Sequence, residues 1–145
     1  MKFLEERLVA LDVEAYSPEE TIKLAGNLLV NENAVDESYV EAMIQSYKKN
    51  GPYFVLAPSI ALPHARPEDG VNEASVSLIR LKEPVTFGSQ LNDPVKFVFA
   101  LGASSSDEHL QILQKLISLL NDQSNVKKLE EATSYQQIKS IIGGM

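Results

Sequence analysis

Residues 95–122 read VKFVFALGASSSDEHLQILQKLISLLND, and the fold turns on how that stretch is parsed. Its first half is rich in β-branched and aromatic residues without polar alternation, the pattern of an interior strand. Its second half carries Leu110, Leu113, Leu116, Ile117 and Leu120 at helical spacing. Between them Ser105 suits an N-cap and Glu108 lies three residues on, as in a capping box. A buried strand therefore feeds directly into a helix. In α/β folds that junction, the carboxyl end of a strand beside a helix N-terminus, commonly forms the ligand crevice.

Upstream, residues 8–15 alternate Val9, Leu11 and Val13 as a half-buried strand, and Ser17-Pro18 with Glu20 opens a helix through Ile22, Ala25, Leu28 and Leu29. A second helix starts near Asp36, with Tyr39, Val40, Met43, Ile44 and Tyr47 on one face, and Asn50-Gly51-Pro52 ends it. Short apolar runs at 53–57 (YFVLA) and 59–62 (SIAL) read as strands, and 63–70 (PHARPEDG) as a loop. Residues 74–81 (ASVSLIRL) add a strand with Val76 and Leu78 alternating. Two short helices are expected at Val126–Ala132 and Tyr135–Ile142. Helices both precede and follow the strands. The expected fold is α/β, a mixed sheet of about five strands sandwiched between helices, formed by residues 1–145 as a single domain.

With 13 basic and 20 acidic residues the chain carries a formal charge of −7, so phosphate backbones and anionic lipid repel it. Binding to nucleic acid and insertion into a membrane are not expected: no basic patch stands out, and no apolar run approaches the roughly 18 residues of a span. The N-terminal run MKFLEERLVAL lacks the form of a secretory signal, which points to the cytoplasm. Without cysteine there is no disulfide, thiol nucleophile or thiolate metal site.

The chain has two histidines, and each sits where an element ends or begins. His64 follows Pro63, whose ring stiffens the local chain, and Arg66 stands two residues on. Taken alone, His64 reads as a surface histidine in a proline-rich loop. His109 falls in the first turn of the helix after VKFVFAL, where N–H groups and the helix dipole favour negative charge. Taken alone, it too is an ordinary half-exposed residue beside a cap. If the two strand ends share one sheet edge, the imidazoles converge. Two histidines without a third ligand make a poor zinc site, and no nucleophile elbow supports serine hydrolysis. Phosphoryl transfer through an imidazole fits better, because the neutral ring is a nucleophile and a neighbouring donor can stabilise the phosphoryl oxygens.

Residues 51–71 (GPYFVLAPSIALPHARPEDGV), then 87–103 (FGSQLNDPVKFVFALGA) and 109–122, resemble the enzyme IIA domain of the bacterial sugar phosphotransferase system. The branch is the mannitol/fructose type, and 51–71 with Asn92-Asp93-Pro94-Val95 most resemble its ascorbate-specific members. The resemblance implies a phosphorylated histidine at His64 and an assisting histidine at His109. It implies phosphate arriving from the carrier HPr and leaving to a cysteine of enzyme IIB, which serves the membrane enzyme IIC. It calls for no cofactor and no metal. Many mannitol-type members have an arginine 16 residues before the phosphorylated histidine; here that place is held by Lys48, which supplies charge but not a planar fork. Arg66 is the other candidate for holding the phosphoryl group. The alternative role within this resemblance is a regulatory phosphohistidine sensor that binds a regulator. From a different class, a small metal-binding enzyme is a weaker reading.

Overall fold

Strand β6 (Val95–Gly102) lies inside the sheet and α3 (Ser106–Leu120) follows it, so the deciding stretch folds as its pattern predicts. The computed structural model describes residues 1–144. Along the chain come β1 (Lys2–Phe3), β2 (Val9–Val13), α1 (Pro18–Asn31), α2 (Glu37–Asn50), β3 (Val55–Ala57), β4 (Ile60–Ala61), β5 (Ser75–Val85), β6, α3, α4 (Gln123–Glu131) and α5 (Tyr135–Gly143). The sheet has six strands in the order β1-β5-β6-β4-β3, with β2 also paired to β5. It is mixed: β1 and β2 run parallel to β5, β4 runs parallel to β6, and the β5–β6 and β3–β4 pairs are antiparallel.

One sheet face carries α1 and α2 over Ile79, Leu81, Val98 and Ala100, closed by Ile22, Ala25, Leu29, Tyr39 and Met43. The other carries α3, α4 and α5 over Val76, Leu78, Phe97, Phe99 and Leu101, closed by Ile112, Leu116, Leu119, Leu129 and Ile138. Strand β5, expected from the alternation of Val76 and Leu78, is therefore covered by helices on both sides. Its Ser75–Leu81 stretch is buried on both faces, and Ser77, between Val76 and Leu78, donates its hydroxyl hydrogen to the Ala25 carbonyl at 2.8 Å. A buried hydroxyl satisfied in this way mimics a solvent-facing position in the sequence.

Both helix caps form. Ser17 Oγ accepts from Glu20 N–H at 3.1 Å and Ser105 Oγ from Glu108 N–H at 3.2 Å. Each returning glutamate reaches one residue further back than a standard capping box, to the amides of Tyr16 and Ser104. Helix α3 buries Ile112, Leu116 and Leu119, whereas Leu110 and Ile117 are 55% and 63% exposed. The apolar residues of α3 occupy more than one face, and only one can meet the sheet.

The loop after β4 is anchored at its far end. Asp36 N–H donates to the Gly70 carbonyl at 2.8 Å, beside an isolated antiparallel bridge between Val35 and Val71. Gly70 has φ of 134° and its α-carbon packs so near Ser38 that an added Cβ would lie 2.8 Å from Oγ, so a side chain is excluded there.

Candidate functional site

The parallel pairing of β4 with β6 sets Ile60 opposite Phe97 and Ala61 opposite Val98, so both strands end at the same edge. His64 leaves that edge after β4, and His109 stands in the first turn of α3 after β6. Their ring centroids are 5.2 Å apart, with ring planes inclined at 51°. The two ends meet.

His64 Nδ1 lies 2.9 Å from the Leu62 carbonyl oxygen. A carbonyl only accepts, so Nδ1 carries the hydrogen of the neutral ring and Nε2 keeps its lone pair. The Tyr53 ring packs against the imidazole in a T-shaped arrangement, centroids 6.3 Å apart. His109 has its pKa lowered, first by burial and then by the neighbouring His64. Both effects favour the neutral ring. Glu108, the adjacent acid, is engaged elsewhere. Its carboxylate accepts from Ser104 Oγ at 2.6 Å and Ser104 N–H at 2.7 Å, bonds that hold its pKa below the usual range.

His64 lies between two hollows. One, of about 280 Å³, is lined by both histidines with Tyr39, Arg66, Leu101 and Ser105. The other, of about 480 Å³, opens on the far side against α2, where Ser46, Lys49, Asn50 and Tyr53 line it with Arg66 and Asp69. Arg66 borders both, its Nε 3.5 Å from Glu68 Oε1 and from Asp69 Oδ2 on an exposed side chain. Exposed pairs of this kind contribute about 0–1 kcal/mol, so the guanidinium is free to re-pair.

The structure does not bring Lys48 to this site. Lys48 faces a separate groove with Lys23, Asn27, Glu37 and Glu41. One residue along a helix is a turn of about 100°, which makes Lys49 the lysine of the His64 cleft. Sequence reasoning also missed Tyr39 and Tyr53. Tyr39 was legible as a core position of α2, and its signal was the hydroxyl, since a buried tyrosine needs a polar partner. Its Oη accepts from Ala65 N–H at 3.0 Å, inside the loop that holds His64.

The geometry is an imidazole held at Nδ1 by a carbonyl with Nε2 left free, a second imidazole of lowered pKa beside it, and a helix N-terminus at the same edge. Residues 2–144 match the family model for the phosphoenolpyruvate-dependent sugar phosphotransferase system, EIIA 2. The chain belongs to that enzyme IIA family. Among its relatives is the ascorbate-specific PTS system EIIA component of Escherichia coli K12, 32% identical over 139 residues, covering 95% of this chain and 90% of the relative. The solution structure of the mannitol-specific cryptic phosphotransferase enzyme IIA from Escherichia coli superposes with a TM-score of 0.87 at 33% identity, covering 98% of this chain and 96% of that one. The Escherichia coli mannitol enzyme IIA, solved in complex with phosphorylated enzyme IIB, gives a TM-score of 0.84 at 31% identity and 99% coverage of each chain. This enzyme IIA is thus a phosphotransferase component of a sugar phosphotransferase system, with the α/β architecture of its relatives. Among the described residues, no helix is long and apolar enough to cross a membrane.

Proposed function

We propose that the protein is a phosphoryl carrier that takes phosphate from phospho-HPr on His64 Nε2 and hands it to a cysteine of enzyme IIB. In the first transfer the Nε2 lone pair attacks the phosphorus of the donor phosphohistidine. The donor P–N bond breaks and its imidazole leaves with the electron pair. In the second, the enzyme IIB thiolate attacks and the P–Nε2 bond breaks. His109 donates to a phosphoryl oxygen as charge spreads over the equatorial oxygens. Arg66 re-pairs from Glu68 and Asp69 to the phosphoryl group as it arrives. Lys48 has no part in this reading, because it faces another groove.

The observation that carries the proposal is the His64–His109 pairing at 5.2 Å with Nδ1 committed to the Leu62 carbonyl. Exposed Leu110 and Ile117, on the same helix as His109, supply apolar surface against which HPr and enzyme IIB dock in turn. Enzyme IIC takes part only through enzyme IIB, on the cytoplasmic side of the membrane. Ascorbate is the proposed substrate, on the strength of the ascorbate-specific relative and the similarity of residues 51–71.

The test is incubation with enzyme I, HPr and labelled phosphoenolpyruvate, followed by addition of the cognate enzyme IIB. Wild type should gain an acid-labile phosphate and pass it on, and His64→Ala should gain none while staying folded. Label retained by His64→Ala would move the acceptor elsewhere and end this reading.

A further inference from the structure

The β4–β6 register, continued three residues past Ala61↔Val98, sets His64 opposite Leu101. A parallel ladder flanks such a pair with two bonds, one from the Leu101 amide and one to the Leu101 carbonyl. The first is present: Leu101 N–H donates to the Pro63 carbonyl at 3.1 Å. The second is replaced. Ala65 N–H donates to Tyr39 Oη at 3.0 Å, and Tyr39 Oη–H in turn donates to the Leu101 carbonyl. One hydroxyl oxygen, delivered from α2 by a side chain only 1% exposed, is inserted where the ladder would have joined the strands directly.

The insertion falls at His64. Up to Pro63 the chain follows β6, and beyond it the chain is held off by one atom. The hollow between the histidines, lined by Tyr39 and Leu101 as well, opens where the strands part. His109 is fixed to the same strand, because α3 begins four residues after Gly102. We infer that Tyr39 is a positioning residue whose hydroxyl, wedged between Ala65 and Leu101, sets the separation of the His64 and His109 rings. This rests on the carrier reading of His64. Tyr39 does not itself touch the phosphoryl group: burial pushes its pKa up to about 12, which keeps it neutral, and its one hydrogen is committed to the Leu101 carbonyl.

In Tyr39→Phe the oxygen is gone and Ala65 can close onto Leu101, which shifts His64 relative to His109. A displacement on the order of 1 Å at a reacting group costs roughly 100-fold in rate. Single-turnover transfer from phospho-HPr should therefore slow about 10- to 100-fold in Tyr39→Phe, with the concentration dependence on phospho-HPr unchanged. If Tyr39 acts through the spacing of the rings, its effect should largely vanish in a His109→Ala background. Wild-type rates in Tyr39→Phe, or losses that multiply fully with those of His109→Ala, would overturn the role. Should Tyr39→Phe not fold, hydrogen exchange on the wild-type protein decides: the Ala65 amide is expected to be protected, and exchange at the rate of a free loop amide would overturn the wedge. Label retained by His64→Ala would overturn the carrier reading and the positioning role with it, whereas wild-type rates in Tyr39→Phe overturn the positioning role alone.

Discussion

Burial and the adjacent His64 hold His109 below the ordinary imidazole pKa of 6.5, and in the proposed carrier role the N–H that the neutral ring keeps donates to a phosphoryl oxygen. Removing one such donor costs about 2–4 kcal/mol of transition-state stabilisation, so His109→Ala should transfer slowly rather than not at all. Rapid-quench rates equal to wild type in both directions would reduce His109 to a helix-start residue. The lowered pKa has a sign for stability. The folded protein binds fewer protons at His109 than the unfolded chain, so stability is lost as pH falls through about 6.5 and stops falling below the folded pKa. Denaturation of wild type and His109→Ala between pH 5 and 8 should show the steeper rise with pH in wild type. Because His64 is the second cause of the shift, His64→Ala should raise the His109 pKa in an NMR titration without restoring 6.5. An unchanged value would mean that the rings do not sense each other. The candidacy of both histidines was legible from their places beside Pro63 and Ser105. Their partners were not: Tyr39 reaches Ala65 and Leu101 across 26 and 62 residues, and Lys49 differs from Lys48 only in helix phase.

Helix α3 shows which features of an element are readable locally. Its cap is a bond between residues three apart, Ser105 Oγ to Glu108 N–H, and the sequence pattern carries it whole. Ser105→Ala should lower stability by about 1 kcal/mol in denaturant unfolding, with m unchanged; no loss would mean that the Glu108–Ser104 bonds hold the turn without the cap. The buried face was harder. Apolar residues at 110, 112, 113, 116, 117, 119 and 120 define more than one stripe, and the connection from β6 decides that Ile112, Leu116 and Leu119 face the sheet. For α1, the close approach to α2 at Gly26 was silent in the sequence. An added Cβ there would lie 2.8 Å from Val40 Cγ2 and 3.0 Å from Met43 Cε. Gly26→Ala should destabilise by about 1–3 kcal/mol through overpacking, and a stabilised variant would show that α1 and α2 can separate without cost.

Across the whole molecule, the layered α/β class followed from helices on either side of the strands, but the strand order did not, because no local signal says that β1 and β2 both run parallel to β5. Arg80 shows the consequence. In the sequence it is one charge in a strand; in the fold it is 5% exposed, with its guanidinium donating to the carbonyls of Leu129 and Ala132 at the end of α4 and pairing with Asp12 at 3.0 Å. Arg80→Leu should cost about 2–4 kcal/mol by leaving those buried carbonyls unpartnered, with loss of α4 protection in hydrogen exchange; full stability would contradict the clamp. Both layers and the sheet between them serve one outcome, that β4 and β6 end together and leave His64 with Nδ1 bound and Nε2 free. The direct test is nitrogen–phosphorus coupling in the ¹⁵N-labelled phosphoprotein. The account predicts coupling from phosphorus to Nε2 of His64, with Nδ1 still protonated; phosphorus on Nδ1, or on any other residue, would contradict it.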